Sequence, residues 1–254
     1  MRIAKNVNNL GTELVYDIFS KTKKLEAQGK KIIDLSLGQS AENPPEHVIE
    51  ATIKALRDGN NGYTVPNGIL ECREAVSRKI EKLYNVKVSP ERIFIMPGGK
   101  PTMHYAISFF GEPETEIIYP DPGFPIYESM IKYTGAKPVP YNLSDQDNFN
   151  INVERILSLI NDKTRLFIIN NPHNPTGSFA DRSVIDKLAS GLSKFPNVAI
   201  LSDEIYGRLI FEKKEFPTFL NYPDLYERLI VLDGWSKTYA MTGWRLGWGV
   251  WPEK

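Results

Sequence analysis

The stretch D-G-W-S-K-T-Y-A-M-T-G-W-R-L-G, residues 233–247, decides how this chain folds. It directly follows the apolar run L-I-V-L, residues 229–232, which is typical of a buried strand. Lys237 is therefore expected just past the carboxyl end of a strand, and Arg245 adds a second cation nearby. Two cations beside a strand end favour an anionic ligand that also carries an electrophilic group for the lysine amine.

One ligand of this kind is pyridoxal phosphate. The Lys237 amine would attack its aldehyde to form a Schiff base, and the Arg245 guanidinium would pair bidentately with its phosphate. The alternative is a surface lysine and a structural arginine in a polar turn. This stretch alone leaves both interpretations open.

Composition narrows the classes of protein to consider. A chain of 254 residues can bury a sizeable core, as one large α/β domain or two smaller ones. Its 31 basic and 31 acidic residues balance, so no net field attracts nucleic acid or an anionic membrane. The single cysteine, Cys72, excludes an intrachain disulfide and a Cys-rich zinc site, and we predict no metal site. Residues 1–10 lack the apolar core of a signal peptide, and no apolar run has the length of a membrane span, so a cytoplasmic protein is expected.

Apolar runs of strand length alternate with stretches of helical periodicity. Helices are predicted at residues 12–29, 45–58 and 69–84. Strands are predicted at residues 32–37, 92–96, 116–119, 166–169, 198–201 and 229–232, with a further strand-like run at 246–251. Such alternation indicates an α/β fold in which a mostly parallel sheet is wrapped by helices. Because loops at the carboxyl ends of parallel strands line one crevice, several strand ends are expected to converge on one site.

Two motifs resemble those of fold-type I pyridoxal-phosphate aminotransferases, the class I/II or aspartate aminotransferase superfamily. Ser236-Lys237 followed by T-G-W-R-L-G at 242–247 resembles the Schiff-base signature of that family. N-N-P-H-N-P-T-G at 170–177 resembles its Asn-Pro-x-Asn-Pro-Thr-Gly motif. Both motifs occur in family order and spacing, and the resemblance runs from about residue 12 to residue 254.

The resemblance implies a three-layer sheet of the pyridoxal-phosphate-dependent transferase type with part of a small α+β domain. Residues 1–45 would form an N-terminal arm and a partial small domain, and residues 46–254 the large cofactor-binding domain. Family members continue well beyond the position of Lys254 and carry there an arginine for the substrate α-carboxylate. We therefore expect a C-terminally truncated chain that lacks the C-terminal small domain and turns over amino acids poorly by itself.

The resemblance also implies roles for individual residues toward pyridoxal 5'-phosphate. Asp203 would pair with the pyridine nitrogen, so that the protonated ring accepts electrons from the substrate. Lys237 would hold the cofactor and then act as the general base, and Tyr206 is the third catalytic candidate. Tyr206 and Asn174 would donate to the phenolic oxygen, and Phe124 would stack on the ring. The phosphate would lie among Gly98, Gly99, Lys100, Ser236 and Arg245.

Two further residues are implied beyond the contacts that a subunit makes with its own cofactor. Gly38 would offer its backbone amide to the substrate carboxylate, and Tyr63 would reach the phosphate of the neighbouring subunit in a homodimer. The chain departs from the family pattern at Gln39-Ser40, where Glu-Pro is frequent, and at Gly234, where a serine is frequent. These changes affect side-chain contacts to the substrate and one contact to the phosphate.

Structural interpretations of the same residues stay open on the sequence alone. Phe124 fits a core aromatic residue, Asp203 fits a helix N-cap, Tyr63 fits a packing residue, and Gly38 fits a connecting turn. The Gly98 turn is not a Walker P-loop, because a proline follows Lys100 where serine or threonine is needed.

The activity that the resemblance implies is transfer of an amino group between an L-amino acid and a 2-oxo acid. One alternative is a pyridoxal-phosphate-dependent lyase of the same fold, which performs β-elimination or ring-forming elimination. Another is a non-catalytic, transaminase-like ligand-binding module of a regulator. The sequence contains no basic helix-turn-helix to accompany such a module, which favours the enzyme.

Overall fold

A computed structural model describes residues 2–11, 14–211 and 214–253. Within them, seven strands form one sheet in the order β1-β7-β6-β5-β4-β2-β3. The strands are β1 (Ile93–Met96), β2 (Glu116–Asp121), β3 (Lys137–Asn142), β4 (Thr164–Asn170), β5 (Ala199–Asp203), β6 (Leu229–Gly234) and β7 (Gly247–Val250). The helices are α1 (Leu14–Ala27), α2 (Glu46–Arg57), α3 (Leu70–Tyr84), α4 (Lys100–Phe110), α5 (Ile126–Thr134), α6 (Val153–Ser158) and α7 (Arg182–Leu192). Short 3₁₀ helices cover Lys5–Asn9, Pro90–Arg92, Asp145–Asp147, Phe219–Asn221, Pro223–Arg228 and Thr242–Trp244.

The sheet is mostly parallel, as predicted. Strands β6, β5, β4, β2 and β3 run parallel to one another, and of the described strands only β7 is antiparallel to the strands on both its sides. Since β7 is antiparallel to both β1 and β6, those two strands point the same way. The carboxyl ends of all six parallel strands therefore lie along one edge of the sheet.

Apolar side chains on both faces of the sheet explain the three layers. In β4, Phe167 and Ile169 pack on the face covered by α3, α6 and α7, whereas Leu166 and Ile168 pack on the face covered by α4 and α5. Continuous apolar runs of this kind are typical of parallel strands that are buried on both sides. Each such side chain contributes about 1.5–3 kcal/mol by leaving water, which fixes the strand ends on a rigid frame.

The predicted helices at 45–58 and 69–84 are confirmed as α2 and α3. The described part of the helix predicted at 12–29 forms α1, while residues 12 and 13 lie outside the described residues. No described helix has the length and apolar character needed to span a membrane. The domain division between residues 45 and 46 stays a prediction.

The strand predicted at 32–37 is wrong. These residues form no strand, and the side chains of Ile33 and Leu35 are 84% and 90% exposed. A strand requires a neighbouring backbone for its hydrogen bonds, and no described segment pairs with this one.

Strand β3 was not predicted from the sequence. It contains two prolines, Pro138 and Pro140, which are tolerated because β3 is an edge strand that pairs, among the described strands, with β2 alone.

Candidate active site

Most of the predicted site residues lie at, or in the loops just after, the carboxyl ends of five strands, along one edge of the sheet. The last residues of β1, β2, β4, β5 and β6 are Met96, Asp121, Asn170, Asp203 and Gly234. Asn170 pairs directly with Asp203 across the β4–β5 ladder, and the start of β7 pairs with the ends of both β1 and β6. The convergence expected from the strand pattern is therefore present in the fold.

Lys237 lies in a tight turn that follows β6. The backbone N–H of Tyr239 donates to the carbonyl of Trp235 at 3.1 Å, which closes the turn around Lys237. Its Nζ donates to the Gly38 carbonyl at 2.5 Å and lies 5.9 Å from the centroid of the Tyr206 ring. The structure thus brings Lys237, Gly38 and Tyr206 together.

The charges around Lys237 make its amine easier to deprotonate. Burial is the main cause that lowers the Lys237 pKa, and the positive charges of Arg245 and Lys100 lower it further, while Asp203 acts in the opposite direction. A lysine with a lowered pKa carries a larger fraction of neutral amine near pH 7. More of the Lys237 amine is therefore neutral near pH 7, and able to attack an electrophile or accept a proton, than in a surface lysine.

Arg245 lies against the glycine turn that precedes α4. Gly98 has φ +84°, and a Cβ atom at this position would lie only 2.2 Å from a guanidinium nitrogen of Arg245. The other terminal nitrogen of Arg245 donates to the Thr242 carbonyl at 2.7 Å, which fixes the side chain. A guanidinium at a glycine turn and helix amino terminus is a suitable site for a phosphate group.

Asp203 is a deeply buried carboxylate at the end of β5. Its side chain accepts a hydrogen bond from the Tyr127 hydroxyl at 2.7 Å and one from the Ile205 backbone at 3.3 Å. Burial raises the Asp203 pKa to about 6, although the bond from Tyr127 and the charge of Lys237 lower it. Asp203 precedes no helix in the structure, so the helix-cap interpretation does not apply.

The sequence reading missed Tyr127, which is fully buried on α5. Burial and the neighbouring Asp203 raise the Tyr127 pKa well above its usual value, so its hydroxyl remains a hydrogen-bond donor. A buried tyrosine in an apolar helix gives no sequence signal for such a contact. Its position three residues after Phe124 in the chain is the only available hint.

The asparagine motif builds its loop mainly through side-chain contacts with the backbone. The Asn170 amide donates to the Asp203 carbonyl at 3.0 Å, and its oxygen accepts from the Asn174 backbone at 2.8 Å. Asn171 exchanges two hydrogen bonds with the Ala180 backbone. These contacts place the half-buried Asn174 beside the strand end that carries Asp203.

Of the remaining predicted residues, Phe124, Ser236 and Tyr206 lie near Lys100 or Lys237, whereas Tyr63 lies on the surface. Phe124 lies 5.6 Å from Lys100 Nζ, measured to the ring centroid, and Ser236 is buried next to Lys237 in the chain. Tyr206 has its pKa raised to about 12 by burial and by Asp203, so it stays protonated. Tyr63, in contrast, is fully exposed in the loop before α3, and its role across a subunit boundary stays a prediction.

Comparison with known proteins agrees with this arrangement. The family described as "Aminotransferase class I and II" matches residues 30–254. The chain is 34% identical over 249 residues to a (5-formylfuran-3-yl)methyl phosphate transaminase of Methanocaldococcus jannaschii, covering 98% of this chain and 63% of that protein. It is 30% identical over 254 residues to an aspartate aminotransferase of Bacillus subtilis, covering 100% of this chain and 64% of that protein.

The fold is also similar to solved structures. An aspartate aminotransferase from Thermus thermophilus with maleate superposes with a TM-score of 0.93 at 29% identity, covering 99% of this chain and 65% of that one. The present chain spans a little under two thirds of the length of the relatives named here. Because the family matches residues 30–254, which are most of this chain, the chain belongs to the aminotransferase class I and II family.

Proposed function

We propose that this protein is a pyridoxal-phosphate-dependent aminotransferase that moves an amino group between an L-amino acid and a 2-oxo acid. The observation that carries this proposal is that the Lys237 amine lies close enough to both the buried Asp203 carboxylate and the Arg245 guanidinium for their charges to act on its pKa. The pKa of the Lys237 amine is lowered there, mainly by burial. Relatives with 30–34% identity are named as transaminases, which supports the same activity.

The residues present fit pyridoxal 5'-phosphate, on which this family depends. Arg245 and the glycine turn at Gly98 form a cradle that a single Cβ atom would fill, which suits the phosphate. Asp203 is buried with a raised pKa, so a cation beside it would favour its ionised form, as a protonated pyridine nitrogen would. Lys237 would hold the cofactor covalently through Nζ, with Asn174, Tyr206 and Phe124 beside it. When bound, the cofactor supplies an aldehyde and an electron-accepting ring.

The protein's own groups would then divide the work. Lys237 Nζ takes the proton from the substrate α-carbon, which its lowered pKa permits near neutral pH. Asp203 holds a negative charge in a buried position, and the Tyr127 hydroxyl keeps that carboxylate oriented through the 2.7 Å hydrogen bond. Tyr206 stays protonated, so its hydroxyl is a hydrogen-bond donor, and its ring centroid lies 5.9 Å from Lys237 Nζ.

Substrate binding and assembly belong to the same proposal. Gly38, whose carbonyl accepts a hydrogen bond from Lys237 Nζ, would offer its backbone amide to a substrate carboxylate. Tyr63 would complete the phosphate site of a second subunit in a homodimer, and its full exposure leaves it accessible for that contact. The cytoplasmic location expected from the sequence is part of this proposal as well.

Exchange of the α-proton of L-amino acids with deuterium oxide tests the proposed chemistry. Asp203→Asn should keep the cofactor but reduce the exchange rate on the order of 100-fold, because it removes the charge that stabilises the electron-accepting ring. Asp224→Asn, which changes an exposed aspartate, is the matched control and should exchange like the unaltered protein. Equal exchange rates in the two variants would contradict the role of Asp203.

The products distinguish transamination from the lyase alternative. A 2-oxo acid acceptor should gain ¹⁵N from a labelled amino acid if the protein is an aminotransferase. Release of labelled ammonia without transfer to the acceptor would overturn the proposal in favour of the lyase.

A further inference from the structure

A buried ion pair lies directly behind the turn that carries Lys237. Lys79, on α3, places its Nζ 3.8 Å from a carboxylate oxygen of Asp233, on β6. The two side chains are 19% and 8% exposed, and Lys79 Nζ is itself shielded from solvent. Among the described residues this Nζ makes no hydrogen bond. The Asp233 carboxylate therefore attracts it by charge, at a distance too long for a hydrogen bond. A pair this far from water is costly to form and needs a compensating contribution.

The aromatic rings around Lys79 connect the ion pair to the Lys237 turn. The Nζ atom lies 5.7 Å from the centroid of the Tyr239 ring and 5.7 Å from that of the Trp248 ring. Both distances are within the range of cation–π attraction. Tyr239 closes the turn around Lys237 through its backbone bond to Trp235. Lys79 therefore contacts the segment before Lys237, at Asp233, and the segment after it, at Tyr239.

We propose that Lys79 and Asp233 are positioning residues that hold the Lys237 turn at both ends and so set the reactivity of the Lys237 amine toward the cofactor. The inference rests on the proposed function, since it assumes that Lys237 is the cofactor-bearing residue. Neither residue belongs to the predicted cofactor or substrate contacts. Their effect passes through the backbone from 233 to 239.

The charges that face Asp233 explain why Lys79 is needed. Burial raises the Asp233 pKa to about 6, Lys79 and the Gly234 N–H lower it, and the nearby Asp203 raises it again. Asp233 in turn raises the pKa of Glu204, on the chain after β5, and that of Tyr84, on α3. Without Lys79, the Asp233 pKa would rise further, and the carboxylate would take up a proton near neutral pH.

Protonation of Asp233 would disturb the start of the turn. One Asp233 oxygen accepts the Gly234 N–H at 2.6 Å, at the point where β6 leads into the Lys237 turn. A neutral carboxyl is a weaker acceptor than a carboxylate. Loss of Lys79 should therefore loosen the turn at this bond and at the Tyr239 ring together.

The test measures how fast each variant captures pyridoxal phosphate at Lys237, by borohydride trapping and peptide mass analysis, over roughly pH 6 to 9. Lys79→Met should slow capture about tenfold per folded molecule, and Lys79→Arg should restore most of the rate because it keeps the cation. Lys82→Met, an exposed lysine on the same helix, is the matched control and should capture like the unaltered protein. A ¹³C titration should show the Asp233 pKa higher in Lys79→Met than in Lys82→Met.

A double variant distinguishes slow cofactor capture from simple loss of folding. Removing one partner leaves an unpaired buried charge, which lowers stability, whereas Lys79→Met/Asp233→Asn removes both charges. The double variant should fold, by circular dichroism, and still capture the cofactor slowly. Capture at the unaltered rate by a folded Lys79→Met or double variant would overturn the inference while leaving the proposed function intact. No capture at Lys237 in the unaltered protein would instead overturn the proposed function.

Discussion

A single methyl group at Gly98 tests whether Arg245 and the amino terminus of α4 form a phosphate cradle. The Cβ atom of Gly98→Ala would lie 2.2 Å from an Arg245 guanidinium nitrogen. Ordinary contact needs about 3.5 Å, so the guanidinium must retreat by about 1.3 Å. The bidentate pairing of an arginine with a phosphate does not survive a displacement of that size.

The cost follows from the contacts that would be lost. A hydrogen bond to a charged group contributes about 1.5–3 kcal/mol, which corresponds to a loss of about 10- to 150-fold in cofactor affinity. The positive φ of Gly98 adds strain of about 1–2 kcal/mol for any residue with a Cβ. That strain acts on the stability of the protein, so it must be separated from the effect on binding.

Gly59→Ala provides the matched control. Gly59 has φ +85°, almost the same as Gly98, but a Cβ atom there meets nothing within 4 Å. Both variants should lose stability in urea unfolding because of the strained φ, and only Gly98→Ala should lose cofactor affinity in equilibrium dialysis. Equal dissociation constants for the two variants would show that Arg245 and Gly98 do not hold the phosphate.

Further predictions concern buried ionisable groups. Tyr127→Phe removes the hydroxyl that donates to Asp203, so the Asp203 pKa should rise above about 6 in a ¹³C titration, and an unchanged pKa would contradict the assigned contact. Burial raises the Glu204 pKa to about 7, so the stability that Glu204 contributes is present below its unfolded pKa and is lost as pH rises through 7. Glu204→Gln should therefore flatten the fall in unfolding free energy between about pH 4.5 and 7, by about 3 kcal/mol; urea titrations that keep the original slope would refute this.

The strand ends made much of the site predictable. Lys237 and Asp203 each follow an apolar run, and parallel strands bring such positions to one edge, so the sequence alone predicts their proximity. Arg245 was expected near Lys237 because few residues separate them in the chain. Gly98 was expected near both because its glycine turn also follows the carboxyl end of a strand, β1. The sequence did not predict that β7 would lie between β1 and β6.

Contacts between distant side chains were not predictable in this way. Tyr127 reaches Asp203 from α5, and Lys79 meets Asp233 from α3, with no pattern in the chain to link either pair. The error at 32–37 has a similar origin. Its apolar residues alternate as in a strand, but local sequence does not report whether a partner strand is present.

The central claim is that Lys237 holds the cofactor, and covalent mapping tests it most directly. The protein is incubated with pyridoxal phosphate, reduced with borohydride and digested, and the modified peptide is sequenced by mass spectrometry. Lys237→Ala serves as the control for labelling of other lysines. The account predicts a pyridoxyl group on Lys237 that is absent from the control. Labelling of another lysine such as Lys100, or equal labelling of the unaltered protein and the control, would contradict it.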